Sequence, residues 1–409
     1  MRSLAVWLLE ERVGCLSESP ATGLSFTYEA SWLASSRCPP LSRSLPPGTE
    51  PLRSPAVAAF FGGLLPEGSV RRRVAANLGL SEDNDFALLE ALGGDCAGAL
   101  RLLPEGEPSP VPEAPRPLSE SDLADLLRDL PRRPLLAGEN GLRLSLAGAQ
   151  SKLPIRWING HYALSTADAP STHILKPENP DFPGLAAVEA FCLDLARRVG
   201  LHAVNAEWQR MGDLPCLRVE RYDRACEASG ENVRRIHQED VCQALGLPSH
   251  RKYQQEGGPS VGDLLGCIRE WSTAPVLDLL QFLDLLVFNV LIGNADAHGK
   301  NFAWIYWESS RRLAPAYDLV ATTLWPELST RMAMRIGQAK FLAEVGPDHF
   351  RKAVAANRIG TSAFLARMEE LCARVVQQLP AAIDAAAQMP EGFRDQLASE
   401  IPRRAEKIL

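Results

Sequence analysis

Residues Phe288 to Phe302 read FNVLIGNADAHGKNF. The first half closes an apolar run that starts at Val276 and ends at Gly293, interrupted by Asp278, Gln281, Asp284 and Asn289. A bilayer penalises such groups heavily, so the run is expected to be a buried core helix and not a membrane span. A polar loop with Asn294, Asp296, His298, Lys300 and Asn301 follows at once. Ionisable side chains on a loop held by a rigid apolar helix are a common setting for catalysis.

Asp296 and Asn301 are five residues apart, the interval between the catalytic Asp and the metal-binding Asn of a protein-kinase catalytic loop. The spacing has a physical reason: one carboxylate must reach an attacking hydroxyl while an amide oxygen holds magnesium beside the transferring phosphate. Taken alone, the pattern equally describes an Asx-rich helix exit with His298 as a solvated histidine. Ala314 to Leu319, APAYDL, adds Asp318 seventeen residues beyond Asn301. If Ala303 to Trp307 forms one strand of a hairpin, Asp318 returns beside the loop as a second magnesium-binding carboxylate. Magnesium takes oxygen ligands and keeps several waters, so one Asp, one Asn and phosphate oxygens suffice. The alternative is a carboxylate capping a surface turn.

Upstream, Ser145 to Lys152 reads SLAGAQSK, a strand–turn–strand in which Ala147, Gly148 and Ala149 let backbone N–H groups approach a polyphosphate. With one glycine it also reads as a plain hairpin turn. Lys176 ends the strand-like His173–Leu175, and Glu189, at the start of the next helix, is placed to orient it toward α/β-phosphates; a solvated pair is the alternative. Glu220-Arg221-Tyr222 falls at the expected junction between lobes, where backbone groups meet an adenine edge, or else forms a charged turn. His237 to Asp240 opens a helix and is read as a cap. The order of loop, lysine, helix glutamate, Asp-x4-Asn and second Asp is that of a protein kinase.

Composition fits this picture. The 409 residues, at roughly 150 per domain, give two or three domains. Apolar residues at 46% and charged residues at 23% exclude wholesale disorder, and a net charge of −7 gives no positive field for nucleic acid. The nine cysteines are scattered, with no Cys-x-x-Cys pair, which argues against a thiolate zinc site and for a reducing cytoplasm. MRSLAVWLLEERVG is too short in its apolar run for a signal peptide. Strands are expected at Leu4–Leu9, Gly14–Phe26, Arg143–Leu146, Leu153–Trp157, His161–Ser165, His173–Lys176 and Cys216–Glu220, with a hairpin turn at Asn159-Gly160. Helices are expected at Val57–Leu65, Asp85–Leu92, after the Ser119 cap with Asp122, and at Glu189–Val199. Pro104 to Pro117 is a proline-rich linker. The division is a small α+β unit at 1–103, a linker at 104–118, an N-lobe-like part with the ATP loop at 119–236 and a helical C-lobe with the catalytic loop at 237–409.

Taken together, Ser145–Lys152, Thr172–Lys176, Val219–Arg224, His237–Gln243, Lys252-Tyr253 with Gly257-Gly258-Pro259, Asn294–Asn301 and Pro315–Leu319 resemble the HipA-type kinases, toxin components of two-gene toxin–antitoxin modules. The resemblance spans nearly the whole chain. It implies an α+β, two-lobed protein-kinase-like fold with a strand-rich N-terminal lobe and an all-helical C-terminal lobe. It further implies a serine/threonine kinase using ATP and Mg2+. Asp296 would be the catalytic base, and Asn301 and Asp318 the metal ligands. Lys176, the loop Ala147, Gly148, Ala149, Gln150, Ser151 and Lys152, together with His298, Lys300 and Tyr317, would contact the nucleotide, with Glu220, Arg221 and Tyr222 at the adenine. Ser145 would be autophosphorylated, the modified loop leaving the site, since a dianion beside ATP phosphates is repelled. The implied partners are a small helix-turn-helix antitoxin, through it operator DNA, and a protein substrate such as an aminoacyl-tRNA synthetase. Val188 stands where the family often has Asn, and Ser151 where Glu is common. Two other readings are a catalytically silent corepressor scaffold and a small-molecule phosphotransferase. Retention of the polar set argues against the first, and the long N-terminal unit fits the second poorly.

Overall fold

In Arg2–Leu8, RSLAVWL, alternation sets Leu4, Val6 and Leu8 on one buried face. This strand is the centre of an antiparallel sheet with Glu11–Ser19 on one side and Leu100–Pro104 on the other, Gly23–Tyr28 lying beyond Glu11–Ser19. Helices Pro55–Gly62, Gly68–Leu78 and Asp85–Leu92 add Val57, Phe60, Phe61, Val74, Leu88 and Leu89 to the same core. Asp85–Leu92 begins where Asn84 accepts a hydrogen bond from the N–H of Ala87.

The computed structural model describes residues 2–20, 23–35, 40–106, 115–139, 142–166, 169–227 and 230–409. Contacts divide the chain into two units that interleave in sequence. One holds Met1–Pro177, Gln209–Ser249 and Ala303–Ser310; the other holds Glu178–Trp208, His250–Phe302 and Arg311–Leu409. Of the proline-rich segment, residues 107–114 lie outside the described residues, as does Cys38. The described cysteines are free thiols.

The first unit carries a second antiparallel sheet, ordered Arg116–Pro117, His161–Leu164, Leu153–Ile158, His173–Pro177, Leu214–Glu220. Asn159 and Gly160 both take positive φ, 49° and 81°, the conformation a two-residue hairpin turn demands. Ser119 and Asp122 form the expected capping box of the Glu120–Asp129 helix, whose Leu123 and Leu127 enter this sheet's core. Arg143–Leu146 is not a strand: Leu144 makes a single bridge to Asp95, flanked by backbone bonds Asp95 N to Arg143 O and Ser145 N to Asp95 O.

The second unit is built mainly of helices: Leu185–Arg198, Val261–Trp271, Pro275–Ile292, Pro347–Ala356, Thr361–Ala385 and Glu391–Ile408. Pro275–Ile292 is long and apolar enough to cross a membrane, but 67% of it is buried inside the protein. Its acids are paired: Asp278 accepts from Arg312 and Ser272, and Asp284 takes a bidentate pair from Arg367 at 2.7 Å. It is the core helix expected.

The α+β kinase-like class stands, with one correction. The part beyond residue 237 is not all helical: it contains strands His237–Asp240, Ala303–Trp307, Ser310–Leu313, Arg331–Ile336 and Ala339–Phe341. His237–Asp240 pairs antiparallel with Ala303–Trp307. A second correction concerns Leu185–Arg198, which starts a turn before Glu189. Glu189 therefore sits inside the helix, buried, and not at its exposed start.

Candidate active site

In the second unit the Pro275–Ile292 helix ends on Gly293 at φ +80°, the left-handed cap. The loop that follows is held by its own side chains. Asn289 donates to Leu285 O and accepts from Asn294 Nδ2 at 2.8 Å, and Asn294 Oδ1 accepts from the N–H of Asp296 at 3.0 Å. Asn301 Oδ1 accepts from the N–H of His298 at 3.0 Å, while Asn301 N–H donates to His298 O. Asn301 Nδ2 then donates to Asp318 Oδ2 at 2.9 Å. The two residues separated by seventeen positions are thus brought together. Asp318 has φ +58°, a strained conformation for a non-glycine residue. Tyr317 donates to Lys300 O at 2.6 Å, fastening the Asp318 segment to the loop a second time. Asn301, Asp318, Asn289 and Asn294 line a narrow crevice.

Asp296 itself is exposed, and Tyr253 Oη donates to its Oδ1 at 2.9 Å. Tyr253 also meets the buried His298 ring edge-on at 5.4 Å, and Lys252 O accepts from Gly299 N–H. Residues 252–253 therefore clasp the loop. Asp-x4-Asn gave no hint of Tyr253; its adjacency arises through tertiary contact.

The donor set suits magnesium in kind. Asp318 offers a carboxylate and Asn301 Oδ1 a second lone pair, both hard oxygens. Among the described residues there is no group of three or more His, Cys, Asp or Glu side chains suited to a metal, so a nitrogen- or thiolate-rich site is not built here.

The other sequence-derived residues stand in the first unit. Ser145 is fully buried and donates to Leu64 O at 2.7 Å. The loop after it turns at Gly148, φ +110°, with Gly148 O accepting from Glu67 N–H and Lys152 Nζ donating to Ala147 O at 2.5 Å. Ala149 is exposed, and Gln150, Ser151 and Lys152 are half-buried. Lys176 is buried in the second antiparallel sheet of this unit, opposite Leu217. Glu220 is exposed, and Tyr222 Oη donates to Gln238 Oε1 at 2.6 Å. The Arg221 guanidinium is fully engaged within the unit, by Asp223, Ser171 and Cys96 O, and its N–H by Thr172 O. Its side chain is a structural ion-pair member.

That network centres on Asp95, which accepts from Ser171 N and Oγ and from Arg224 at 2.9 Å, with Arg235 and Arg221 farther out. Burial pushes its carboxyl up, but Arg224, Arg221 and Arg235 outweigh burial and hold it below the usual carboxylate range. The Glu239 carboxyl is the opposite case: burial raises it to about 7 despite hydrogen bonds from Ser42, Tyr306 and Arg43 N–H.

The fold is of the α+β, kinase-like class. Residues 144–383 match the model of the HipA-like C-terminal domain, and residues 4–103 that of the HipA N-terminal domain. The chain belongs to the HipA family. It is similar to the putative kinase Y4mE of Sinorhizobium fredii, 48% identical over 85% of this chain and 84% of that one. It is also similar to the serine/threonine-protein kinase toxin HipA of Shewanella oneidensis, 32% identical over 82% and 78%. A solved structure of the Shewanella oneidensis MR-1 HipA, HipB and operator DNA complex superposes with a TM-score of 0.86 at 27% identity, covering 99% of this chain and 97% of that one.

Proposed function

We propose that this chain is an ATP- and magnesium-dependent kinase that phosphorylates serine or threonine in a cellular protein, with an aminoacyl-tRNA synthetase as the class the family resemblance implies. The observation that carries the reading is the hydrogen bond joining Asn301 to Asp318, five residues after an exposed Asp296 that Tyr253 orients. In this reading Asp296 accepts the proton of the attacking hydroxyl as that oxygen bonds to the γ-phosphorus and the bond to the β,γ-bridging oxygen breaks, releasing ADP. Asn301 and Asp318 hold the metal, which supplies charge neutralisation of the phosphates. Lys176, the 147–152 loop, His298, Lys300 and Tyr317 bind the nucleotide, and the backbone of 220–222 receives the adenine.

Ser145 is the proposed autophosphorylation site. Its hydroxyl is seated on Leu64 O, so the reaction requires the loop to leave that seat. A phosphate there would bring about two negative charges and be repelled by bound nucleotide. Because the Shewanella oneidensis neighbour is a complex with HipB and operator DNA, we assign this chain a small helix-turn-helix antitoxin as partner, operator DNA through it, and a cytoplasmic location. The functional division follows 1–103, 104–118, 119–236 and 237–409.

The test is incubation of purified protein with labelled ATP, Mg2+ and a cell lysate, followed by mass spectrometry. Label is expected on Ser145 and on a discrete protein, and Asp296→Ala should lower transfer by at least about 10²-fold. Full transfer by that variant, or nucleotide binding with no transfer by the wild type, would overturn the proposal.

A further inference from the structure

We propose that Arg404, reaching from the Glu391–Ile408 helix, is a positioning residue for phosphotransfer that clamps the point where the core helix becomes the Asp296 loop; the proposal rests on the kinase reading above. The last carbonyl groups of a helix have no partner within it, and the negative end of its dipole favours a cation. Arg404 meets both needs for Pro275–Ile292, its Nη1 donating to Leu291 O at 3.2 Å. Its Nη2 donates to Thr323 Oγ1 at 3.0 Å.

Thr323 and its neighbour carry the clamp into the loop. Thr323 N–H donates to Gly293 O, Thr322 Oγ1 donates to the same oxygen at 3.2 Å, and Thr322 Oγ1 accepts from Ala295 N–H at 2.9 Å. Both threonines lie just downstream of Asp318. Arg404 therefore ties together the two stretches that carry the catalytic carboxylate and the metal-binding pair. The fit is close: a Cβ on Gly293 would lie 2.3 Å from Thr323 Oγ1 and 2.7 Å from Arg404 Nη1.

Two other arginines brace the same helix at other levels, Arg312 at Asp278 and Arg367 at Asp284. Of the three, Arg404 is the one at the loop end. Its side chain is only 15% exposed, it pairs with Glu400 at 3.6 Å, and it lies outside both family matches. Small misplacements remote from the chemistry are costly when catalysis depends on alignment.

The experiment compares Arg404→Ala, Arg404→Lys, Thr323→Val and the double variant Arg404→Ala/Thr323→Val, with Arg403→Ala as control. Arg403 is exposed and pairs with Glu400. For Arg404→Ala we expect kcat per folded enzyme to fall about tenfold with the KM for ATP within about twofold, because ordering of the loop and not ATP binding is lost. Arg404→Lys, which keeps the cation and a donor, should recover to within about threefold. Thr323→Val should lower kcat, and the double variant should fall short of the product of the two single effects. Unchanged kcat in Arg404→Ala, with only a lower Tm, would overturn the proposal. A second readout needs no activity: amide hydrogen exchange over 293–298 should accelerate in Arg404→Ala and not in Arg403→Ala. Unaltered exchange there would overturn the clamp, whereas absence of transfer by the wild type would count against the kinase reading alone.

Discussion

At the scale of single residues, Asp296 is the exposed member of an otherwise inward-facing loop, and Tyr253 is the group that sets its direction. Tyr253→Phe keeps the ring against His298 and removes only the donor. A hydrogen bond to a charged group contributes about 1.5 kcal/mol at the low end, and this one is exposed. Initial-rate kinetics of the variant should therefore show kcat/KM lowered by about three- to tenfold, with the Tm unchanged. Asp296, Asn301 and Asp318 could be picked out in the chain because their spacing matches that of a kinase catalytic loop and its second acid, and Asn301 does meet Asp318. Tyr253 stood out only as part of the family resemblance and with no role, because its link to Asp296 spans 43 positions. Arg221 illustrates the reverse: one of the residues assigned to the adenine has its side chain locked to Asp223, something only the burial of both partners reveals.

At the scale of elements, the helix before the loop and its glycine stop were legible because an apolar run broken by a few polar groups has few other solutions. Gly293→Ala tests how tightly that stop is built. The position needs φ +80° and has no room for a Cβ, so the variant should lose more than about 1 kcal/mol of stability by chemical denaturation, and kcat with it. The Asn159-Gly160 turn was equally legible, since that dipeptide fits φ values few others adopt. His237–Asp240 was not. All four residues, HQED, are polar and all four are buried, so no apolar alternation announces a strand. Tertiary partners take up polar groups of three of them: His237 Nε2 meets Leu41 O, Gln238 accepts from Tyr222, and Glu239 accepts from Ser42 and Tyr306, while the buried His237 Nδ1 has no hydrogen-bond partner among the described residues. Asp240 alone behaved as the chain suggested, capping the short helix Val241–Ala244 with Gln243.

At the scale of the whole molecule, the buried Glu239 gives stability a pH dependence. Its folded-state carboxyl is raised to about 7 from an ordinary 4.5. Between those values the folded state holds a proton that the unfolded chain has released, so stability falls as pH rises through that window and levels off above about 7. Below about 4.5 both states are protonated and the effect vanishes. Glu239→Gln keeps the shape and removes the titration. Denaturation midpoints measured from pH 4.5 to 8 should fall more steeply for the wild type than for the variant. Equal slopes would mean that Glu239 is already ionised at the acid end. The architecture at this scale was legible as an order of motifs, and the interleaving of 178–208 and 250–302 into a separate unit was not, because it is defined by contacts distant in sequence.

Asp95 belongs to the stretch that matches the N-terminal family domain, while the arginines it neutralises, Arg221, Arg224 and Arg235, belong to the stretch that matches the C-terminal one. A gene divided between those two stretches would leave these guanidinium groups in the interior of one product with the slot of Asp95 empty, although Asp223 would still pair with Arg221 and Arg224. Losing one carboxylate from a buried cluster of three arginines leaves an excess of buried positive charge, which is costly. The two fragments would have to find each other again before either could settle, which makes the N-terminal segment a folding partner of the kinase and not a detachable appendage.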